Sequence, residues 1–252
     1  MKDFNYRKCP LCGNQEPSLI SLVYSYSTIS RLRCGLCGLI YFDRTDYPKP
    51  SYEVDYNLHF TRPTDIKKAG VMACLLGQMA AQNSFYPRIL EVGPANGLTS
   101  FLLKEQGLNV EISDISAENA FRLSSKFGLR AHSGPFESSD FASNYSLIYA
   151  GHTIEHIEAP LGFFKKAFDL LEPGGLFFFD TPDAHYSKKW GHSWKHFATR
   201  HPFEHCSIME VRTINKVADL LGFSVKNLVT LPSFQSMQVT LEKVKNGNCF
   251  SR

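Results

Sequence analysis

Four of the seven cysteines stand as two pairs, Cys9-Pro10-Leu11-Cys12 and Cys34-Gly35-Leu36-Cys37, and each pair is followed at once by a glycine. Two-residue spacing lets both thiolates of a pair turn toward one ion from a tight knuckle. The glycine after each pair supplies the positive-φ residue such a knuckle needs. Strand-like runs over 19–26, 30–33 and 39–42 complete the pattern of a zinc ribbon, with Cys9, Cys12, Cys34 and Cys37 as ligands. Every ligand position is a cysteine and none is left for water or substrate, so the expected Zn2+ is structural. A disulfide framework would call for a secretory start, whereas residues 1–10 are polar and charged. Cys74, Cys206 and Cys249 stand apart and read as plain thiols.

The rest of the composition narrows the class. A chain of 252 residues, 43% hydrophobic and 20% charged, can bury one large core with a small appendage. No apolar run reaches the length of a membrane span. With no secretory pattern either, a cytoplasmic location is expected. The formal net charge of +3 lacks the concentrated basic excess that accompanies nucleic acid, which is therefore not the expected partner.

Three regions follow from the pattern: the ribbon at 1–47, a linker and leading helix at 48–84, and a larger domain at 85–252 with an insert at 183–206. Residues 46–63 are rich in proline and tyrosine without periodicity. Helical spacing follows over 65–81. From Arg88 onward strands and helices alternate: strands at Arg88–Val92, Asn109–Asp114, 129–132, 145–150 and 175–181, helices at 97–106, Ala117–Phe127 and 161–171. That rhythm makes a doubly wound α/β sheet. A helix over 208–221 and a strand pair at Phe223–Leu231 and 237–244 close the chain. The expected sheet has seven strands, mostly parallel, with one antiparallel strand contributed by the terminal hairpin.

The sharpest motif in this domain is Ile89-Leu90-Glu91-Val92-Gly93-Pro94-Ala95-Asn96-Gly97. A strand ends at an acidic residue, a glycine-bearing loop turns, and a helix begins with its unpaired N–H groups facing any ligand. The spacing is not the G-x-G-x-x-G that a dinucleotide pyrophosphate demands. Asp114, at the tip of the next strand, is placed to accept hydrogen bonds from both hydroxyls of a ribose.

These residues resemble the class I S-adenosylmethionine-dependent methyltransferases. The resemblance runs through 88–244 and rests on 91–97, on Ser113-Asp114-Ile115-Ser116, on 149–156 (Tyr-Ala-Gly-His-Thr-Ile-Glu-His) and on 171–180 (Leu-Glu-Pro-Gly-Gly-Leu-Phe-Phe-Phe-Asp). It implies a Rossmann-like fold and S-adenosyl-L-methionine as cofactor. Glu91, Gly93 and Gly97 would line the methionine side, Asp114 would take the ribose, and the turn at Phe136 would border the adenine. His152, at the tip of the fourth strand, joins this cofactor set. Ala95 stands where the family has a glycine, and the third strand lacks the family's acidic residue. Ribbon, linker and core in this order also resemble the methyltransferases of nucleotide-linked deoxysugars, including the tetronitrose-type C-methyltransferases. The matching residues are 152–156 (His-Thr-Ile-Glu-His) and the pair Glu204-His205, although Pro202 replaces the tyrosine that precedes that pair.

Methyl transfer from a sulfonium needs an aligned acceptor and a group that removes its proton, and imidazole suits the second task near neutral pH. His205 is the expected base, assisted by Glu204, with His156 orienting the acceptor. The insert, with His185, His192, His196 and His201 among Trp190, Trp194 and Phe197, is expected to act as a lid. The favoured acceptor is a small hydroxylated molecule, a saccharide or nucleotide-linked sugar. Two other functions fit the sequence: an rRNA or tRNA methyltransferase that uses the ribbon on RNA, and a non-catalytic binding protein that keeps the fold.

Overall fold

The computed structural model describes residues 7–23, 28–43, 45, 63–142, 144–185 and 204–244. The expected linker before 63, the aromatic part of the insert (Trp190, His192, Trp194, His196, Phe197 and His201) and Cys249 lie outside the described residues.

At the N-terminus β1 (Pro17–Val23), β2 (Thr28–Cys34) and β3 (Ile40–Phe42) pair antiparallel in chain order. The sheet does not end there. A short strand from the far side of the insert, β9 (Ser207–Ile208), pairs antiparallel with β3, setting Ile40 opposite Ile208 and Tyr41 opposite Ser207. The helical pattern expected over 208–221 therefore begins late: Ser207 and Ile208 are strand, and α5 runs Val211–Leu221. The neighbour overrides local propensity, because β3 offers an open ladder to which the buried Ser207 and Ile208 can bond.

The larger domain is built on β4 (Arg88–Val92), β5 (Asn109–Asp114), β6 (Arg130–Ser133), β7 (Tyr145–Gly151), β8 (Leu171–Pro182), β10 (Phe223–Leu231) and β11 (Ser236–Lys243). They form one seven-stranded sheet in the order β10-β11-β8-β7-β4-β5-β6. All neighbours are parallel except at β11, which runs antiparallel to both β8 and β10. The expected α/β architecture, with its one reversed strand, is what forms.

Alternation along the strands sorts the core into two layers. Ile89, Leu147, Tyr149 and Phe178 pack with Ala73, Leu76 and Ala80 of α1 (Pro63–Asn83), Leu103 of α2 (Leu98–Glu105) and Leu123 of α3 (Ala117–Phe127). Leu90, Ile148, Phe177 and Phe179 face the other way, toward Phe163 and Phe164 of α4 (Pro160–Leu170) and Ile214 and Val217 of α5. The Phe177-Phe178-Phe179 run is thus split between layers, and burying each ring contributes roughly 2–3 kcal/mol. The second layer continues without a break into Leu11, Leu32, Leu39, Tyr41 and the buried cysteines. Ribbon and α/β domain share one core.

Candidate active site and the four-cysteine cluster

Strand order reverses between β4 and β7: β5 and β6 lie to one side of β4, β7 and β8 to the other. In an open α/β sheet the crevice outside the carboxyl ends of two such strands is where ligands bind. Here it is flanked by the loop after β4 and the loop after β7, and each holds a non-glycine residue at positive φ, Ala95 (48°) and His152 (48°). Gly93 (φ 71°) cannot be replaced without collision, because a Cβ there would sit 2.4 Å from Thr153 Oγ1. Thr153 in turn donates to the carbonyl of Val92 at 3.1 Å, tying the two loops together. Gly97 (φ 76°) caps α2, and a Cβ on it would meet Leu123 Cδ2 at 2.6 Å. Glu91, the penultimate residue of β4, is a buried carboxyl group that accepts from Ser100 Oγ of α2. Burial raises its pKa to about 7, against the hydrogen bonds from Ser100 and with a further push from the charge of Asp180.

Asp114 ends β5 on the far side of the glycine loop. One carboxylate oxygen accepts from Ser116 N at 2.8 Å, the other from Asn119 Nδ2 at 2.6 Å, and Asn119 also donates to the carbonyl of Ala95 at 3.0 Å. The acid is therefore held at a fixed distance from the glycine loop, with lone pairs to spare. Burial raises its pKa, opposed by those two donors.

Beyond β7 the chain makes a 3-10 turn, Ile154–His156, that places a charged cluster at the mouth of the crevice. Glu155 is fully buried, with one oxygen 3.2 Å from His152 Nδ1 and the other accepting from Thr181 Oγ1 at 3.2 Å. His152 Nε2 lies 3.1 Å from Asp180 Oδ1, and the hydroxyl of Tyr149 donates to Asp180 Oδ2 at 3.3 Å. Desolvation works against a charge on His152. The hydrogen bond to Glu155 and the two carboxylates outweigh it and raise the imidazole to about 9, although 61% of the side chain remains solvent-exposed. Glu155 stays a carboxylate for the matching reason: its burial is outweighed by His152, His156 and His205, and its pKa is lowered. The rings of His156 and His205 meet edge to face with centroids 5.2 Å apart, and ligand atoms of Glu155, His156 and His205 lie within 4.8 Å of one another. His156 Nδ1 is 3.1 Å from the carbonyl oxygen of Glu204. What the structure sets beside the histidine pair is thus the carboxylate of Glu155, and from Glu204 the backbone carbonyl.

A sequence profile for the methyltransferase domain matches residues 52–228. The chain belongs to the methyltransferase-domain family. Solved structures similar to this methyltransferase include the geranyl diphosphate C-methyltransferase of Streptomyces coelicolor A3(2) in complex with Mg2+, geranyl diphosphate and S-adenosyl-L-homocysteine. It is 14% identical, with 73% of this chain and 86% of that chain covered and a TM-score of 0.57. The CurJ carbon methyltransferase is 18% identical over 75% of this chain and 57% of that chain, with a TM-score of 0.54. The N-methyltransferase NodS of Bradyrhizobium japonicum WM9, in complex with S-adenosyl-L-homocysteine, is 11% identical over 73% and 89%, with a TM-score of 0.51. At such identities the likeness is one of fold, and it spans enzymes with different acceptors. No curated protein matches the chain. No helix among the described residues is long and apolar enough to cross a membrane.

Of the methyltransferase residues singled out from sequence, Glu91, Gly93, Gly97, His152, His156, Glu204 and His205 gather around the two loops, and Asp114 stands across from them. Phe136 is buried in the aromatic core, 4.7 Å from Phe163 and 5.4 Å from Phe141 between ring centroids. The backbone N–H of His185 donates to Asp183 Oδ1 at 2.8 Å. Sequence reasoning missed Glu155, Asp180, Thr153 and Asn119. Glu155 had a signal, since it stands one residue before His156 and three after His152. The other three had none beyond their places at strand tips and a helix start.

The four cysteines of the methyltransferase converge as their spacing requires. Cys9 Sγ lies 3.6 Å from Cys37 Sγ, and Cys12 Sγ lies 3.5 Å from Cys34 Sγ. Four thiolates about a tetrahedral Zn2+ with bonds near 2.3 Å would stand roughly 3.8 Å apart, and a disulfide only ~2.0 Å. The described cysteines are all free thiols. Cys37 N points at Cys34 Sγ from 3.4 Å, and Gly13 (φ 73°) and Gly38 (φ 78°) close the two knuckles. A hydrogen bond from Cys37 draws the Cys9 thiol down, whereas burial pushes that of Cys12 up. The donor set and spacing fit a structural zinc ion.

Proposed function

We propose that this methyltransferase uses S-adenosyl-L-methionine to methylate a small hydroxylated acceptor, a saccharide or nucleotide-linked sugar, with a histidine as general base. The juxtaposition of His156 and His205 over the buried carboxylate of Glu155, beside the crevice of the glycine loop, carries the reading. Glu91, Gly93 and Gly97 would hold the methionine portion of the donor, with the helix-start amides of α2 facing its carboxylate. Asp114 would accept hydrogen bonds from the ribose hydroxyls. The acceptor's hydroxyl would lie in line with the methyl–sulfur bond. His205 would accept its proton as the new carbon–oxygen bond forms and the sulfonium becomes a neutral thioether. Glu155 supports this assignment, because a buried anion stabilises the imidazolium that forms. His156 would orient the acceptor, and His152, paired with Glu155 and Asp180, would hold the floor of the site in place. Four cysteines would keep a structural zinc ion out of the chemistry.

The test is calorimetric titration with S-adenosyl-L-homocysteine, on wild type and Asp114→Ala, with NAD as control ligand. Micromolar binding by wild type, about 100-fold weaker in the variant, is expected for a lost charge-assisted contact. No binding by folded protein, or equal binding of NAD, rejects the donor site. Label transfer from methyl-labelled donor to a panel of nucleotide-linked sugars then tests the acceptor class, and transfer to structured RNA alone would reject it.

A further inference from the structure

The segment that carries His205 is pinned from the ribbon. It sits between two sets of contacts. Toward the active site, His156 Nδ1 is hydrogen-bonded to the carbonyl of Glu204, and Ser207 Oγ donates to the carbonyl of Ile157 at 2.7 Å. Toward the ribbon, Ser207 and Ile208 pair with Tyr41 and Ile40, and the next residues grip the second cysteine knuckle. Arg33, one residue before Cys34, forms an ion pair with Glu210. Arg212 donates to the carbonyl of Gly35 at 2.9 Å and pairs with the other oxygen of Glu210 at 3.0 Å. The hydroxyl of Thr213 donates to the carbonyl of Cys37 at 2.9 Å while accepting from Glu210 N at 3.1 Å. Gly38 is packed so closely that a Cβ would fall 2.0 Å from Glu210 Oε1. Metal knuckle and histidine pair are the two ends of one stretch of about ten residues.

A zinc ribbon needed only to complete the core could rest anywhere on it. This one spends a strand and three side-chain links on the residues that follow His205. A short segment after an insert has little rigidity of its own, so its position comes from what it is bonded to.

We propose that the ribbon is the positioning element of the active site, and that Glu210, held by Arg33, is the positioning residue through which the second knuckle sets His205 against His156. The role assigned to His205 rests on the proposed function; the mechanical coupling does not. Loosening the clamp displaces His205 and leaves the glycine loop and Asp114 untouched, because they stand on β4 and β5 and make none of these contacts.

Full-length, zinc-loaded protein is compared as wild type, Arg33→Met and Arg33→Lys. Amide hydrogen exchange over residues 204–210 and the imidazole NMR signal of His205, assigned with His205→Asn, are the readouts. S-adenosyl-L-homocysteine affinity and zinc content are measured alongside. Arg33→Met is expected to speed exchange of the segment by about tenfold, as befits one lost charge-assisted hydrogen bond, and to shift the His205 signal. Arg33→Lys restores both, with zinc content and ligand affinity unchanged throughout. Wild-type exchange and an unmoved His205 signal in Arg33→Met overturn the proposal. If Arg33→Met does not fold, Thr213→Val, which removes both the Cys37 contact and the bond from Glu210 N, is judged by the same two readouts. Failure of the wild type to bind S-adenosyl-L-homocysteine would instead reject the donor site, and the exchange data would still decide the coupling.

Discussion

His156 donates its Nδ1–H to the backbone carbonyl of Glu204 across 3.1 Å. A carbonyl can only accept, so in the neutral ring this bond places the proton on Nδ1. It also binds the loop after β7 to the segment that carries His205, so one contact orients both rings.

Substitutions separate orienting from proton transfer. Asparagine places its amide nitrogen where Nδ1 stood, whereas glutamine imitates Nε2. His156→Asn should therefore retain more methyl transfer than His156→Gln, with donor affinity unchanged in both. His205→Ala should lose about 10²–10⁴ in kcat, the usual contribution of a general base. Steady-state kinetics with a donor isotherm for each variant checks the pair, and equal rates for Asn and Gln would remove the orienting role.

In the proposed donor site, Glu91 should make binding sensitive to pH. Its folded pKa, about 7, is raised above the ordinary 4.5, so the stability tied to its protonation is fully present below 4.5 and is lost as pH rises through 7. Glu91→Gln should accordingly raise the melting temperature of the ligand-free protein at pH 8 and change it little at pH 5. A ligand ammonium near this carboxyl group favours the carboxylate, so binding releases a proton and weakens as pH falls below about 7. Calorimetry with S-adenosyl-L-homocysteine in two buffers of different ionisation heat reads that proton directly, and Glu91→Gln should abolish it.

Most of the larger domain is legible because its signals are local. Asn109–Asp114 and Ala117–Phe127 form with the bounds their patterns set, since the apolar–polar alternation of Val110 and Ile112 with their neighbours, and a Ser116 cap with Gly128 beyond, are complete within the segment. The glycine loop is legible for the same reason. β9 is not, because two residues carry no period and Ser207 and Ile208 become a strand only beside Tyr41 and Ile40, far away in sequence. Nor does a pattern separate the roles of two acids that each adjoin a histidine. Glu155-His156 and Glu204-His205 look alike, and only the fold buries the first carboxylate and turns the second residue's carbonyl to the partner ring.

Metal removal should act at a distance. Stripping zinc from the four cysteines is expected to lower the melting temperature, because Cys9, Cys34 and Cys37 belong to the same core cluster as Phe177 and Ile214. Cobalt substitution should give a tetrahedral thiolate spectrum that Cys34→Ser weakens. A chain that melts unchanged after verified metal loss would make the cluster a set of buried thiols and nothing more.

The opposite end of the sheet holds a charge cluster whose role is stability. Glu111 is buried and accepts from Arg88 at 2.7 Å and Tyr145 at 3.0 Å, with His132 Nε2 at 2.8 Å. Arg88 and Tyr145 begin their strands, so these contacts lie at the end of the sheet away from the crevice. Burial raises the pKa of Glu111, but His132, Arg88 and Tyr145 together outweigh it and the net shift is downward. A lowered folded pKa contributes stability above the ordinary 4.5 and loses it as pH falls through the folded value. Glu111→Ala leaves a partly buried guanidinium without its anion and should cost about 3 kcal/mol at pH 7, on the order of 10 °C in Tm for a chain of this size. The gap between wild type and variant should narrow as pH falls through the lowered folded value, where the wild-type carboxylate is itself protonated. Donor affinity should stay within about twofold of wild type, because sites this far apart and sharing no partners act additively. Thermal melts across pH, with one donor titration at pH 7, decide it: a variant that melts like wild type, or binds the donor much more weakly, contradicts this division of labour.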